Sequence, residues 1–320
     1  MNVRLVLLFV LSFVNTPELT AAERNTVILL SFDGARPDYF SDQKSPHVMS
    51  VGRMGWHGTL TSIFPTESFP NHATLISGCD TSQHGIVSNK FVDPTRGPFE
   101  YLMDPSWMDC EPVWFTAETK GIKTAITYWP LHGQGSWKQK NPTYQNTFST
   151  HDIRDIIRFD DADKIKQILS WLRLPEEKRP RLILSWFADI DTAGHAYGPD
   201  SPEVVTAVRE YDQLLGILLE ALQSDSHDDP FNLMIVSDHG MAEMKYAINV
   251  EALRKGLVEK GVNETVVKAS GTNAIVYFNK ISGAQKKGVV KWLSDIGHKT
   301  GSFDLYERNQ IPRRWHFTHA

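Results

Sequence analysis

The sequence predicts an α/β protein, a mostly parallel sheet with helices on both faces, from three observations. Short apolar runs rich in β-branched residues recur along the chain, amphipathic helical patterns lie between them, and the residues able to do chemistry follow directly after the runs. Buried parallel strands read as continuous apolar stretches, and their alternation with helices implies helical layers on both sides of one sheet. Open sheets of this kind bind ligands at the carboxyl ends of their strands.

Val27 to Phe32 is the first strand, closed by Asp33-Gly34. Ser68 to Ile76 reads as a helix: Ser68 stands at the N-cap, Pro70 is tolerated only in a first turn, and Gly78 ends it. Lys123 to Trp129, Leu182 to Phe187, Leu233 to Ser237 and Ala274 to Phe278 are the further strands. Val204, Val208, Tyr211, Leu215, Leu218 and Leu222 fall at steps of three and four, which marks one buried helix face. Asp93 to Gly97 and Leu131 to Pro142 read as loops over the sheet.

With 320 residues, 41% of them hydrophobic, the chain can bury the core of one large domain. The net charge of -5 is spread without a basic run, so no nucleic-acid-binding surface is expected, although a nucleotide remains possible as a small-molecule substrate. Residues 1–22 read as a signal peptide, with Arg4, an apolar run from Leu5 to Val14 and Thr20-Ala21-Ala22 at the cleavage site. A bilayer span needs ~20 apolar residues, about twice that run, so a secreted or periplasmic protein without a transmembrane anchor is expected. Cys79 and Cys110 allow one disulfide in an oxidising compartment, and Asn263-Glu264-Thr265 is a glycosylation sequon.

Several motifs carry chemistry. A hydroxyl at the mouth of a helix, as at Ser68, faces the positive end of the helix dipole, where a phosphoryl group is attracted. Ser68 also reads as a plain cap, and Asp33 as another. Asp238-His239-Gly240 pairs a hard carboxylate with an imidazole at a strand end, and Asp191 with His195 repeats the pair one helical turn apart. Two such pairs suggest two metals, one lowering the nucleophile's pKa and one holding a phosphoryl oxygen.

Taken together, Ser31-Phe32-Asp33-Gly34, Phe69-Pro70-Asn71-His72, His84-Gly85-Ile86-Val87 with Asn89, the Asp191 to Pro199 segment, and Ser237-Asp238-His239-Gly240-Met241 resemble the nucleotide pyrophosphatase/phosphodiesterase family of the alkaline phosphatase superfamily. The resemblance runs from about Val27 to the C-terminus and implies an alkaline-phosphatase-like fold. It implies two zinc ions, one among Asp33, Ser68, Asp238 and His239 and the other on Asp191 and His195. It also makes Ser68 the covalent nucleophile and Asn89 a donor to a phosphate oxygen, leaving His72 and His84 as structural residues. Phe69 maps onto the family's nucleoside pocket; Trp129 and Tyr144 are read as further substrate-binding walls, with core packing as the plainer alternative.

Residues 23–320 are thus read as a phosphodiesterase catalytic domain that stops short of its C-terminal end. The family's further zinc histidine, in a Gly-Thr-His-Gly-like segment, has no counterpart, and His316 or His319 is the local substitute to consider. Serine in place of the usual threonine resembles the choline-phosphodiester branch. A phosphomonoesterase and a weakly active or non-catalytic binding ectodomain are the other readings. A sulfatase is disfavoured, because His72 stands where that motif needs arginine.

Overall fold

The computed structural model describes residues 25–146, 160–224, 231–244, 247–263, 265–278 and 280–318. Residues 1–22, read above as a signal peptide, Glu264 of the sequon and His319 lie outside the described residues. In chain order the strands are β1 (Thr26–Phe32), β2 (Lys90–Asp93), β3 (Gly97–Glu100), β4 (Thr124–Thr127), β5 (Tyr144–Gln145), β6 (Leu182–Phe187), β7 (Phe231–Val236), β8 (Thr265–Ser270) and β9 (Asn273–Phe278). The helices are α1 (Pro46–Met54), α2 (Ser68–Ser77), α3 (Thr81–His84), α4 (Val113–Thr119), α5 (Asp161–Leu172), α6 (Asp189–Tyr197), α7 (Pro202–Ser224), α8 (Val250–Glu259) and α9 (Gly283–Thr300).

Five strands form one parallel sheet in the order β5-β4-β6-β1-β7, which is the expected architecture. Successive residues of β6 are buried on opposite faces, Ile183 and Phe187 in one core and Leu184 and Trp186 in the other. That two-sided burial explains an apolar run without alternation. On the first face α5 and α7 cover the sheet through Ile165, Ile168, Val204, Val208, Tyr211 and Leu215. On the second, Phe69, Ala73 and Ile76 of α2 pack with Trp114 of α4.

Two strand expectations change. The run from Lys123 to Trp129 shortens to β4, because Tyr128 takes a left-handed φ of 56° and turns the chain before Trp129. The run from Ala274 to Phe278 is not in the parallel sheet: it is β9, antiparallel to β8 across the turn at Gly271-Thr272. A parallel pair needs a crossover of a dozen or more residues, which that turn cannot supply. This hairpin packs with α8 and α9 around Leu257, Val267, Val289 and Leu293, forming a separate small core. Cys79 and Cys110 form the disulfide that the composition allowed.

Candidate active site

Strands β6, β1 and β7 are neighbours in the sheet, and each delivers its functional residues just past its carboxyl end. Asp33 follows β1 and stays tied to β6 by its amide, which donates to Phe187 O at 2.9 Å. Asp191 and His195 lie on α6, the helix after β6, while Asp238 and His239 follow β7. Ser68 begins α2, the helix over the second core face.

Glu67, not Ser68, is the half-in residue at the start of α2, so the Ser68 side chain is freed from capping. Its hydroxyl reaches Asp33 Oδ1 at 3.4 Å and His239 Nε2 at 3.2 Å. The amides at this helix mouth are mostly occupied. Phe69 N donates to Asn89 Oδ1 at 2.9 Å, Pro70 has no N–H, and Asn71 N donates to Glu67 O. The first of these bonds takes up the Asn89 side-chain oxygen.

Three carboxylates converge beneath the hydroxyl. Asp33 is 1% exposed and Asp238 3%. Asp33 Oδ2 accepts from the Trp186 indole at 2.7 Å, and Asp238 Oδ1 from Gly34 N at 3.2 Å. Asp238 Oδ2 and Asp191 Oδ1 are buried without a hydrogen-bond donor. Such groups are costly unless a cation or proton meets them. Burial, reinforced by the charges of Asp238 and Asp191, holds the Asp33 carboxyl well above the ordinary range. Burial and the Asp191 charge push Asp238 up to about 7, and burial also raises Asp191.

His239 supplies the complementary feature. Its Nδ1 donates to Gly240 O at 2.9 Å, so in the neutral ring the lone pair is on Nε2, which lies 3.3 Å from both Asp33 Oδ1 and Asp238 Oδ2. A lone pair facing two carboxylate oxygens is repulsive until something positive sits between them, and an imidazole fixed by a backbone carbonyl is the usual form of a metal ligand. His195 is 76% exposed, with Nε2 3.4 Å from Asp191 Oδ1. Two groups among the described residues could hold a metal ion: Asp33, His72 and Asp238, and Asp33, Asp191 and His239.

His72 is the poorer ligand of these. Its Nδ1 donates to Ser68 O at 2.8 Å, and its Nε2 meets the Ser31 hydroxyl at 2.8 Å, so both nitrogens are engaged. Burial holds it neutral, its pKa lowered to about 3. It braces α2 against β1. His84 has a comparable place, bonded to Thr74 Oγ1 and to Ile86 N.

The aromatic residues fall differently from expectation. Trp129 is wholly buried and packs edge-on against His72 at 5.1 Å, behind the site rather than at its mouth. Tyr144 pairs with Ala125 near the amino end of β4, rests on Trp171, and donates its hydroxyl to Lys178 O. That is the end of the sheet opposite Ser68, so Tyr144 does not join the site. Phe69 lies beside Ser68 but is 1% exposed, packed against Phe99 and the half-buried Tyr101. Trp186 and Tyr101 were not singled out by sequence, since nothing in an apolar strand marks an indole that meets a carboxylate.

Two glycines of the motifs have steric reasons. Gly34 has φ +67°, and a Cβ there would lie 3.0 Å from the Asp191 side chain. A Cβ at Gly194 would meet Met241 Sδ at 2.0 Å, so Gly194 and Met241 together press α6 against the Asp238-His239 turn.

The fold and these donors define a class, α/β proteins of the alkaline phosphatase superfamily with groups that could hold a metal ion beside a hydroxyl. Within it the chain belongs to the type I phosphodiesterase / nucleotide pyrophosphatase family, which residues 27–320 match. It is 32% identical over 309 residues to an uncharacterised pyrophosphatase/phosphodiesterase of Schizosaccharomyces pombe, covering 92% of this chain and 60% of that protein. It is 32% identical to venom phosphodiesterase 2 of Crotalus adamanteus and 30% identical to human ectonucleotide pyrophosphatase/phosphodiesterase family member 1, covering 69% and 72% of this chain. The chain spans only 27% and 25% of those two proteins. Human ectonucleotide pyrophosphatase/phosphodiesterase 5 superposes with a TM-score of 0.74 at 25% identity over 92% of this chain and 75% of that one. The murine counterpart, solved with AMP, shares the fold with a TM-score of 0.75.

Proposed function

We infer that the chain is an exported, zinc-dependent hydrolase of nucleotide-type phosphodiester or pyrophosphate bonds that works through a covalent Ser68 intermediate. The observation that carries this reading is the position of Ser68 Oγ at a helix mouth, 3.2 Å from His239 Nε2 and 3.4 Å from Asp33 Oδ1. His239 Nε2 is also 3.3 Å from both Asp33 Oδ1 and Asp238 Oδ2, so donors of the types that bind zinc lie together beside the hydroxyl. One zinc would be held by Asp33, Asp238 and His239 with Ser68 as the fourth donor. A second would be held by Asp191 and His195. The metals, when bound, would stabilise the serine alkoxide and the negative charge developing on a phosphoryl oxygen.

The chain's own residues do the rest. Ser68 Oγ attacks phosphorus, the bond from phosphorus to the leaving oxygen breaks, and that oxygen departs as an alcohol or phosphate. The intermediate is a phosphodiester between Ser68 Oγ and the retained part of the substrate; water attacks its phosphorus, the bond to Ser68 Oγ breaks, the hydroxyl is restored and a phosphomonoester leaves. Asn89 donates its amide NH2 to a phosphoryl oxygen, and Tyr101, the accessible neighbour of Phe69, stands in for the expected Phe69 contact with the leaving group. One side-chain donor beside an aromatic group suits an oxygen that carries a substituent. Export is supported by the leader-like first 22 residues and by relatives named for venom or as ectoenzymes.

The test compares a p-nitrophenyl nucleotide ester with p-nitrophenyl phosphate, using protein stripped with a chelator and reloaded with zinc. Zinc-dependent turnover favouring the diester is expected. Preference for the monoester would overturn the diester reading, and zinc binding without turnover of either would make the chain a binding protein.

A further inference from the structure

Glu67, the residue before the nucleophile, is 3% exposed and collects three donors on one carboxylate. Oε2 accepts from Asn89 N at 2.6 Å and from Ser88 Oγ at 3.0 Å, and Oε1 accepts from Asn273 Nδ2. The residue on the other side of Ser68 completes the arrangement, since Phe69 N donates to Asn89 Oδ1 at 2.9 Å. The backbone and the side chain of Asn89 are thus held separately by the two residues flanking Ser68.

The third donor comes from a distant part of the chain. Asn273 begins β9, just after the turn at Gly271-Thr272, and the turn lies close enough that a Cβ on Gly271 would be 3.4 Å from Glu67 Cγ. The same hairpin is fastened to β2 and β3 further out, where Val92 N donates to Tyr277 Oη at 3.1 Å and Lys268 pairs with Glu100 at 3.5 Å. Glu67 is where both antiparallel hairpins meet the nucleophile helix. A carboxylate suits the position because all three partners are donors and an ionised carboxylate only accepts.

We propose that Glu67 is a positioning residue that fixes the Asn89 amide relative to Ser68 Oγ and locks the β8–β9 hairpin onto the site. The proposal rests on the roles of Ser68 and Asn89 given above. It requires that Glu67 act on turnover through Asn89, which a residue that merely supports the fold would not do.

A double-mutant cycle on the p-nitrophenyl nucleotide ester, with zinc in excess, tests it. Glu67→Ala should lower kcat by about tenfold to a hundredfold with KM within about threefold, and in an Asn89→Ala background it should change kcat by less than about threefold. Glu67→Gln, which turns one donor against a donor, should fall between parent and alanine variant. Equal losses in both backgrounds overturn the proposal. The second readout, hydrogen exchange by mass spectrometry, is independent of turnover. In Glu67→Ala and Asn273→Ala, residues 86–93 and 265–278 should exchange faster while β1 and β6 keep their protection. Faster exchange throughout the chain, or none in those segments, also overturns it. A working parent with additive losses refutes Glu67 alone, whereas a zinc-loaded parent inert toward the ester refutes the function proposed above and with it any catalytic consequence of Glu67.

Discussion

Replacing Asp238 by asparagine separates what the site costs the fold from what it does with a metal. Asp238 is buried, and its pKa is pushed from 3.8 up to about 7, first by burial and then by the Asp191 charge. A carboxyl whose pKa is higher folded than unfolded favours the native state in its protonated form. Its contribution is complete below pH 3.8 and is lost as the pH rises through about 7. Some three pKa units at 1.36 kcal/mol each make the loss about 4 kcal/mol at pH 8, an upper bound because the neighbouring carboxylates share the effect. Asparagine keeps the shape and an oxygen for Gly34 N, but carries no charge. In chelator at pH 8, Asp238→Asn should therefore be more stable than the parent by about 2–4 kcal/mol in urea unfolding, with the difference vanishing near pH 4. Zinc at 100 times its dissociation constant should return about 2.7 kcal/mol to the parent and far less to the variant, whose turnover should be lost. A variant less stable than the parent in chelator at pH 8 would refute the claim that these carboxylates are assembled against their own repulsion for a cation.

Other perturbations read other parts of the structure. Asn89→Ala should lower kcat by about 10²–10³, the range for one oxyanion-type donor, and should cost less than Asp238→Asn in kcat/KM on the same diester. Gly34→Ala places a methyl 3.0 Å from the Asp191 side chain at a positive φ, so it should destabilise the protein by about 1–3 kcal/mol and weaken zinc retention on dialysis. Burial lowers the pKa of His132 from 6.5 to about 4, so its neutral form stabilises the fold above pH 6.5 and that contribution is lost as the pH falls toward 4. His132→Leu should remove about 3 kcal/mol of that acid-side slope, measured by urea unfolding between pH 4 and 7. An unchanged slope would mean that His132 is not held neutral.

The parallel sheet was legible because burial on both faces leaves runs such as Leu182–Phe187 apolar throughout, and because Asp33, Asp191 and Asp238 all come just after such runs. Adjacency was not: sequence order alone does not reveal that β6, β1 and β7 are neighbours, which is what brings Asp33, Asp191 and His239 together. The β8–β9 hairpin was missed because half of it, Thr265–Ser270, carries lysine and serine and lacks the apolar signature that marked β9. Ser68 and the paired Asp and His residues were singled out by hydroxyl, carboxylate and imidazole types at characteristic spacings, and Asn89 through the family resemblance alone. Trp129 and Tyr144 were misplaced because aromatic type carries no direction, and which side of a sheet end a ring occupies depends on register. Glu67 and Trp186 act only through long-range contacts, 206 residues apart for Glu67 with Asn273 and 153 for Trp186 with Asp33. No local pattern announces such contacts.

The central claim is that Ser68 Oγ is the nucleophile, and kcat/KM of zinc-loaded Ser68→Ala on a p-nitrophenyl nucleotide ester tests it most directly. The side chain is small and its hydroxyl hydrogen-bonds Asp33 and His239 among the described residues, so the variant should fold and unfold in urea as the parent does. The account predicts no turnover above the uncatalysed rate, because the covalent Ser68 intermediate cannot form. Residual kcat/KM within about tenfold of the parent, a barrier change of only ~1.4 kcal/mol, would contradict it and shift the attacking group to water.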